Sequence, residues 1–224
     1  MDGVIQVKNY AEPPYNEREI LRYAGAKEAT AEVKELLRAC LEEAKGKPDY
    51  RVCYAEFPVT VDKNRVNLSF AETVSENLSK NLRGCKKIVV FAATVGIGID
   101  RLIAKYSVVS PAKALMFQAI GAERIESLCD SFNADIEKRA KASGCGTRPR
   151  FSPGYGDVSL SLQTEIIRVL DCNRKIGVTL NKSMLMSPSK TVTAIIGITD
   201  GESGVGENGC KACAKEECVY RRQP

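Results

Sequence analysis

The fold depends on one stretch, Lys87-Ile88-Val89-Val90-Phe91-Ala92-Ala93, which is almost continuously apolar and rich in β-branched side chains. Such a run predicts a strand that is buried within a sheet. A second stretch, Thr191-Val192-Thr193-Ala194-Ile195-Ile196, alternates in character and predicts a half-buried antiparallel strand within 190–198. Further strands are predicted near 50–60, 64–69, 176–180 and 182–186. We therefore expect a sheet that is twisted and mainly antiparallel.

Helical periodicity predicts helices between these strands. Shorter helices are predicted near 16–23, 27–44, 72–83 and 159–170. The longest helix, predicted over 111–142, has an apolar stripe of Ile125, Leu128, Cys129, Phe132 and Ile136. The sequence thus predicts an α+β domain over 1–199, in which 1–110 precedes a part, 111–199, that contains a candidate ligand loop. Residues 200–224, rich in Gly and acidic residues and then in Cys, are predicted to be a flexible tail.

Composition limits the class of protein. The net charge is +5, from 33 basic and 28 acidic side chains that are interspersed along the 224 residues. No basic run with interleaved aromatic residues occurs, so nucleic acid is not an expected partner. No signal peptide and no membrane span of about 18 apolar residues is recognisable. The nine cysteines are accordingly interpreted as thiols of a cytoplasmic protein.

The chain contains no histidine. This excludes Ser-His-Asp and Cys-His nucleophile pairs and His-rich zinc sites. It also excludes a corrinoid held through a histidine of this chain. Any acid–base chemistry would depend on carboxylates, Lys, Tyr or Cys.

A candidate ligand loop follows the long helix, at Arg150-Phe151-Ser152-Pro153-Gly154-Tyr155. Pro153 favours a bend, and Gly154 can adopt a positive φ and allow close approach of a ligand to the backbone. The guanidinium of Arg150 suits a carboxylate, and Tyr155 offers a flat face with a polar tip. These residues could hold a small zwitterion that has a flat ring, although an ordinary surface turn would have a similar composition.

The loop and the segments that follow it resemble the activation domain of cobalamin-dependent methionine synthase. That family has an R-P-x-P-G-Y loop, followed by the pattern I-G-(hydrophobic)-x-L-x-x-S-x-x-M-x-P. Here the second pattern is matched by Lys175-Ile176-Gly177-Val178-Thr179-Leu180 and by Asn181-Lys182-Ser183-Met184-Leu185-Met186-Ser187-Pro188. The resemblance extends from about Ile125 to Ile198 and implies a C-shaped α+β fold.

The resemblance implies S-adenosylmethionine as the ligand, bound by Arg150, Ser152, Gly154 and Tyr155. Asp130 is added because acidic residues of the corresponding helix lie near the ligand loop in that family, and an anion suits a sulfonium. From the spacing alone, Glu126, Asp130 and Glu137 would more simply form a solvated face of the helix. The chain departs from the family at Phe151, where Pro is usual. It also lacks any aromatic residue between Tyr155 and Tyr220, although the family commonly has S-G-x-Y-F in that segment.

The function implied is that of a stand-alone reactivation protein. In the family, the domain presents S-adenosylmethionine to cob(II)alamin and, with one electron from a reductant, regenerates methylcobalamin. The implied partners are a corrinoid-binding methionine synthase module, which carries the cobalamin, and a flavodoxin-like electron donor. The chain would then be an accessory component of methyltransferase chemistry. A third interpretation, a protein that senses S-adenosylmethionine without consuming it, needs the same loop.

The alternative function depends on the tail, where Cys210, Cys213 and Cys218 form a C-x-x-C-x-x-x-x-C pattern. Thiols two residues apart can ligate one metal ion, so zinc or an iron–sulfur cluster is a candidate. The fourth ligand could be Cys145, a carboxylate, a partner group or an exchangeable ligand. On this interpretation the chain is a metal-bearing corrinoid activator or electron carrier. The other interpretation of the tail is a disordered segment with free thiols.

Overall fold

The computed structural model describes residues 3–26 and 28–201 of the chain. The strands in these ranges are β1 (Gln6–Asn9), β2 (Arg51–Pro58), β3 (Thr60–Asp62), β4 (Arg65–Asn67), β5 (Glu72–Val74), β6 (Cys85–Thr94), β7 (Cys145–Thr147), β8 (Thr179–Leu180), β9 (Met186–Ser187) and β10 (Thr191–Asp200). The helices are α1 (Glu17–Tyr23), α2 (Ala31–Ala44), α3 (Glu76–Asn81), α4 (Gly98–Val109), α5 (Pro111–Ala142), α6 (Leu162–Val169) and α7 (Cys172–Ile176).

A five-stranded sheet forms the centre of the fold, in the order β1-β2-β6-β10-β7. Every neighbouring pair in it is antiparallel. The apolar stretch that begins at Lys87 lies in β6, which is the middle strand. β3, β4 and β5 form a separate small sheet, and β8 pairs with β9.

The central sheet is covered on both faces, and this explains why β6 is apolar from Ile88 to Ala93. Val89 and Phe91 belong to one core, formed with α1, α2, α4 and α5, which we call the helix-side core. Val90 and Ala92 belong to a second core, formed with α3, α6, α7 and β4, which we call the loop-side core. Because successive side chains of a strand point to opposite faces, a strand between two cores needs apolar residues at every position.

The same geometry corrects one prediction about β10. Ala194, Ile195 and Ile196 are all buried, so this strand is not half-buried as its alternation suggested. Ala194 and Ile196 face the helix-side core, whereas Ile195 faces the loop-side core. The polar residues of the alternation are threonines, and Thr191 and Thr193 are themselves buried. A buried hydroxyl needs hydrogen-bond partners. That of Thr191 has two, the hydroxyl of Thr94 at 3.0 Å and the carbonyl of Pro188 at 2.8 Å.

The long helix is present as predicted, and other elements differ from the sequence-based boundaries. The helix predicted over 72–83 begins only at Glu76, because Glu72–Val74 pairs with β4 and Ser75 caps the helix by accepting from the Leu78 N–H at 2.9 Å. In 176–186 the predicted strands shrink to the two-residue ladder of β8 and β9. Within the described ranges, no helix is both long and apolar enough to cross a membrane.

A buried ion pair fixes the N-terminal segment against α5. The side chain of Arg124 is fully buried and lies 2.6 Å from the carboxylate of Glu123. Its guanidinium donates to the carbonyls of Pro13 and Pro14 and lies 3.9 Å from the ring centroid of Tyr15. Residues 13–16, which we call the N-terminal strap, are therefore held on the surface of α5.

Candidate functional site

The candidate loop is positioned by the edge of the central sheet. β7 pairs with the end of β10, and the chain continues along the same edge through Arg148, whose N–H donates to the carbonyl of Gly197 at 2.8 Å. Phe151 then exchanges two backbone hydrogen bonds with Ile195, at 2.8 and 2.9 Å. The N–H of Phe151 thus donates a hydrogen bond to the sheet, and a proline at this position could not make that bond. This is a physical reason for Phe151 where the family has proline.

Strand geometry directs Arg150 and Phe151 to opposite sides of the sheet. Phe151 packs against the loop-side core. Arg150 reaches α5, where its two terminal nitrogens lie 2.6 Å from a carboxylate oxygen of Glu126 and 2.7 Å from one of Asp130. The Arg150 side chain is only 19% exposed, whereas that of Asp130 is 49% exposed. The structure therefore brings together Arg150 and Asp130, two of the predicted site residues, and adds Glu126.

The acidic row on α5 is only partly the simple solvated face that its spacing suggested, since Asp130 is exposed but both it and Glu126 pair with Arg150. Glu126 and Asp130 bind the loop arginine, while Glu137 pairs with Lys141 of its own helix at 2.8 Å. The reason is the helical spacing of four residues, which places Glu126 and Asp130 one above the other, within reach of one guanidinium.

The loop itself forms the predicted turn. The N–H of Tyr155 donates to the carbonyl of Ser152 at 3.1 Å, and Gly154 has a φ of +81°. Proline at the second position and glycine at the third are typical of a type II turn. The ring of Tyr155 is 59% exposed and meets the ring of Phe151 edge to face, with centroids 5.7 Å apart. The turn thus presents a backbone segment and an exposed aromatic ring that contacts Phe151.

Asp157 fastens the far end of the loop to the start of α3. Its carboxylate accepts from the hydroxyl of Ser75, from the N–H of Glu76 at 2.7 Å and from the N–H of Asn77 at 3.3 Å. The hydrogen bond from Ser75, followed by those from the two backbone groups, lowers the pKa of Asp157 below its usual value. The anion is therefore the form that the folded loop prefers.

This carboxylate predicts a pH dependence. A lowered folded-state pKa contributes stability above the unfolded-state value of about 3.9, and this contribution is lost as the pH falls through the folded-state pKa. We expect Asp157→Asn to lower the melting temperature at neutral pH, and the gap from wild type to narrow below about pH 4. Thermal unfolding from pH 7 to pH 2.5 measures this gap. Glu137→Gln, which removes an exposed carboxylate paired within its own helix, is the control; a constant gap for Asp157→Asn would contradict the prediction.

An acidic cleft of about 220 Å³ lies next to the Arg150 ion pairs, between α1 and α5. It is lined by Asn16, Glu19, Tyr23, Glu123, Glu126, Ser127 and Asp130. A second depression continues from it over the N-terminal strap, with Tyr15 and Asp130 among its walls. No sequence pattern predicted that Asn16, Tyr15 or Tyr23 belongs to the site. Each is more than 100 residues from Asp130 in sequence, and no local pattern connects them with it.

Six of the nine cysteines lie in the part of the chain that the structure describes. Cys210, Cys213 and Cys218, the predicted metal ligands, lie outside the described residues. Among the six described cysteines, all are free; five are buried, and Cys145 is partly exposed. Within the described ranges, no group of three or more Cys, Asp or Glu side chains is arranged to hold a metal ion.

Comparison with known proteins relates the chain to solved structures rather than to sequences. No protein-family model matches the chain, and no curated protein matches it in sequence. The fold is similar to that in the crystal structure of the MetH reactivation domain bound to AdoHcy, with 14% sequence identity and a TM-score of 0.60. The match covers 90% of this chain and 80% of that chain. It confirms the predicted α+β fold with its antiparallel sheet and packed helices, and it agrees with the resemblance seen in the sequence.

Proposed function

We propose that this chain binds S-adenosylmethionine and supplies it for the reductive methylation of cob(II)alamin held by a separate corrinoid-bearing partner. The observation that carries the proposal is the fold likeness to a reactivation domain bound to AdoHcy, over 90% of this chain. AdoHcy is the demethylated product of S-adenosylmethionine, so a fold that holds one suits the other.

The donor groups at the loop fit the parts of this ligand. S-adenosylmethionine carries a carboxylate, an ammonium, a sulfonium and an adenosine. The guanidinium of Arg150 suits the carboxylate, and the carboxylates of Glu126 and Asp130 suit the two cationic groups. The backbone at Gly154 and the exposed ring of Tyr155 would frame the adenosine, with Ser152 completing the turn. The cleft beside Glu126 and Asp130 is also lined by Glu19 and Glu123, which pair with Arg22 and Arg124.

Binding at this site requires an exchange of partners, because both ends of the Arg150 fork already contact carboxylates. Asp130 is the more exposed of the two acidic partners, so we expect it to release the guanidinium first. The ligand carboxylate would then take the vacated nitrogen, and Asp130 would accept a hydrogen bond from the ligand ammonium. Each charge keeps an opposite charge beside it, so no unpaired ion is left in the site.

The proposed partners follow from what the chain lacks. It has no histidine that could ligate a corrinoid, so the cobalamin would belong to a methionine synthase-like corrinoid module outside these residues. A flavodoxin-like protein is the proposed electron donor. At the cobalt of the partner, one electron and one methyl group convert cob(II)alamin to methylcobalamin, with S-adenosylhomocysteine as the second product. This chain would bind and orient the methyl donor, and its free cysteines suit a cytoplasmic setting.

The proposal is tested in two steps. First, anaerobically purified protein is titrated calorimetrically with S-adenosylmethionine and S-adenosylhomocysteine; saturable binding of one ligand per chain is expected. Second, the protein is mixed with S-adenosylmethionine, a one-electron reductant and the cobalamin-loaded module of a methionine synthase. The expected result is the methylcobalamin spectrum together with an equal amount of S-adenosylhomocysteine.

The possible outcomes separate the candidate functions. Binding without consumption of the ligand would favour the sensing interpretation over reactivation. The absence of any saturable binding would overturn the proposal.

A further inference from the structure

We propose that Asn133 of α5 is a positioning residue for Arg150. Its amide oxygen would hold Nη1 of the guanidinium while the carboxylate of the ligand replaces Asp130. The role rests on the proposed function, because it explains how Arg150 can exchange one partner for the ligand. It also makes the site selective for ligands that carry an amino-acid carboxylate.

The side chain of Asn133 lies beside the guanidinium of Arg150. With the amide nitrogen donating to the carbonyl of Cys129 at 3.3 Å, the amide oxygen lies 2.6 Å from Nη1 of Arg150. The opposite orientation would set the amide nitrogen against the guanidinium donors, so the hydrogen-bond partners decide the orientation. Nη1 therefore has two acceptors, Asn133 and Asp130, and the Asp130 oxygen is 2.7 Å away.

The helix α5 sets the place and the orientation of this amide. Glu126, Asp130 and Asn133 are spaced by four and three residues, so they share one face of the helix and present their oxygens to the same guanidinium. The carbonyl that accepts from Asn133 belongs to Cys129, one turn earlier in the same helix. Because that hydrogen bond lies within α5, the amide can keep its orientation when Arg150 changes partners.

The burial of Arg150 explains why a second acceptor on Nη1 matters. The side chain is only 19% exposed, so an N–H group that loses its partner is poorly served by water. Nη1 carries two N–H groups. One can stay with Asn133 while the other passes from Asp130 to the ligand carboxylate. The guanidinium is thus held in place throughout the exchange.

The neutral charge of Asn133 suits this role better than a third carboxylate would. Glu126 and Asp130 already set two negative charges against one guanidinium. A further anion would repel the incoming ligand carboxylate and compete with it for Arg150. An amide oxygen accepts the hydrogen bond without a net charge. Asn133 therefore fixes the guanidinium and leaves its positive charge to the ligand.

The experiment compares two ligands that differ in the carboxylate alone. The wild type, Asn133→Ala and Asn133→Asp are titrated calorimetrically with S-adenosylmethionine and with decarboxylated S-adenosylmethionine, which keeps the ammonium, the sulfonium and the adenosine. For S-adenosylmethionine, Asn133→Ala should raise Kd by about 3- to 10-fold, the effect of losing one ordinary hydrogen bond. Asn133→Asp should raise it further, because the new carboxylate competes with that of the ligand.

The decarboxylated ligand provides the readout that a merely structural role would not give. It cannot replace Asp130 at Arg150, so Asn133→Ala should bind it as tightly as the wild type does. Asn133→Asp should bind it at least as tightly, since an added anion suits a cationic ligand. Asn173→Ala, which removes an exposed asparagine of α7, is the matched control and should leave both affinities unchanged.

The outcomes separate this role from the proposed function. Equal affinities of Asn133→Ala and the wild type for S-adenosylmethionine would overturn the role of Asn133 and leave the proposed function standing. An equal loss for both ligands would also overturn it, because a structural effect does not depend on the carboxylate. A wild-type chain that binds no S-adenosylmethionine would overturn the proposed function, and the role of Asn133 with it.

Discussion

Replacing Arg124 by methionine should lower the free energy of unfolding by about 3–5 kcal/mol, the usual cost of removing one partner of a buried ion pair. The substitution leaves the carboxylate of Glu123, which is 3% exposed, without its cation. It also removes the donors to the carbonyls of Pro13 and Pro14 and the cation above the ring of Tyr15. Urea denaturation of the variant and the wild type at pH 7 measures this difference.

A second variant separates the charge effect from the loss of packing. In Glu123→Gln/Arg124→Met both charges of this buried pair are removed. The new amide at position 123 can still accept from the N–H of Asn16 and the hydroxyl of Ser127. We therefore expect the double variant to be more stable than Arg124→Met alone. Arg168→Met, which breaks an exposed pair with Glu165, should stay within about 0.5 kcal/mol of the wild type. A cost below about 1 kcal/mol for Arg124→Met would show that this pair does not hold the N-terminal strap.

Replacing Arg150 by alanine should weaken S-adenosylmethionine binding by about 1.5–3 kcal/mol, which is roughly a 10- to 150-fold rise in Kd. The substitution removes the guanidinium that contacts Glu126 and Asp130, so the ligand carboxylate would meet two carboxylates instead of a cation. Calorimetric titration of the variant with S-adenosylmethionine measures the change.

Two further variants make the Arg150 result specific. Arg150→Lys keeps the charge but loses the planar fork, so we expect an intermediate affinity. Arg174→Ala removes an exposed arginine that pairs with Asp171 in the short helix α7, and it should leave the affinity unchanged. Equal affinities for Arg150→Ala and the wild type would remove Arg150 from the ligand site.

The geometry of the loop could be predicted from the residues alone. Pro153 and Gly154 specify a turn with a positive φ, and the structure has φ of +81° at Gly154. The partners of Arg150 could not be predicted in the same way. Asp130 was selected through a family resemblance, and Glu126 was assigned to a solvated face. The turn depends on neighbours in sequence, whereas the ion pairs depend on how the edge of the sheet lies against α5.

The central sheet likewise has one strand whose burial could be predicted from the sequence and one whose burial could not. Continuous apolar character predicted that β6 is buried, because each position of the strand must suit an apolar surrounding. The alternation in β10 predicted one exposed face, and the structure covers both. A threonine looks polar in sequence, but its hydroxyl can be satisfied inside a core by a neighbour such as Thr94.

The sequence by itself determined the buried strand β6, the long helix and the turn at Gly154, since hydrophobic periodicity and backbone preference act between residues that are close along the chain. The tertiary structure alone decided that Arg150 meets Glu126 and Asp130, that Arg124 fixes the strap more than 100 residues before it, and that the end of β10 lies beside Cys145. These contacts join distant segments, and their distances follow from the packing of α5 and β7 against one sheet rather than from any local pattern.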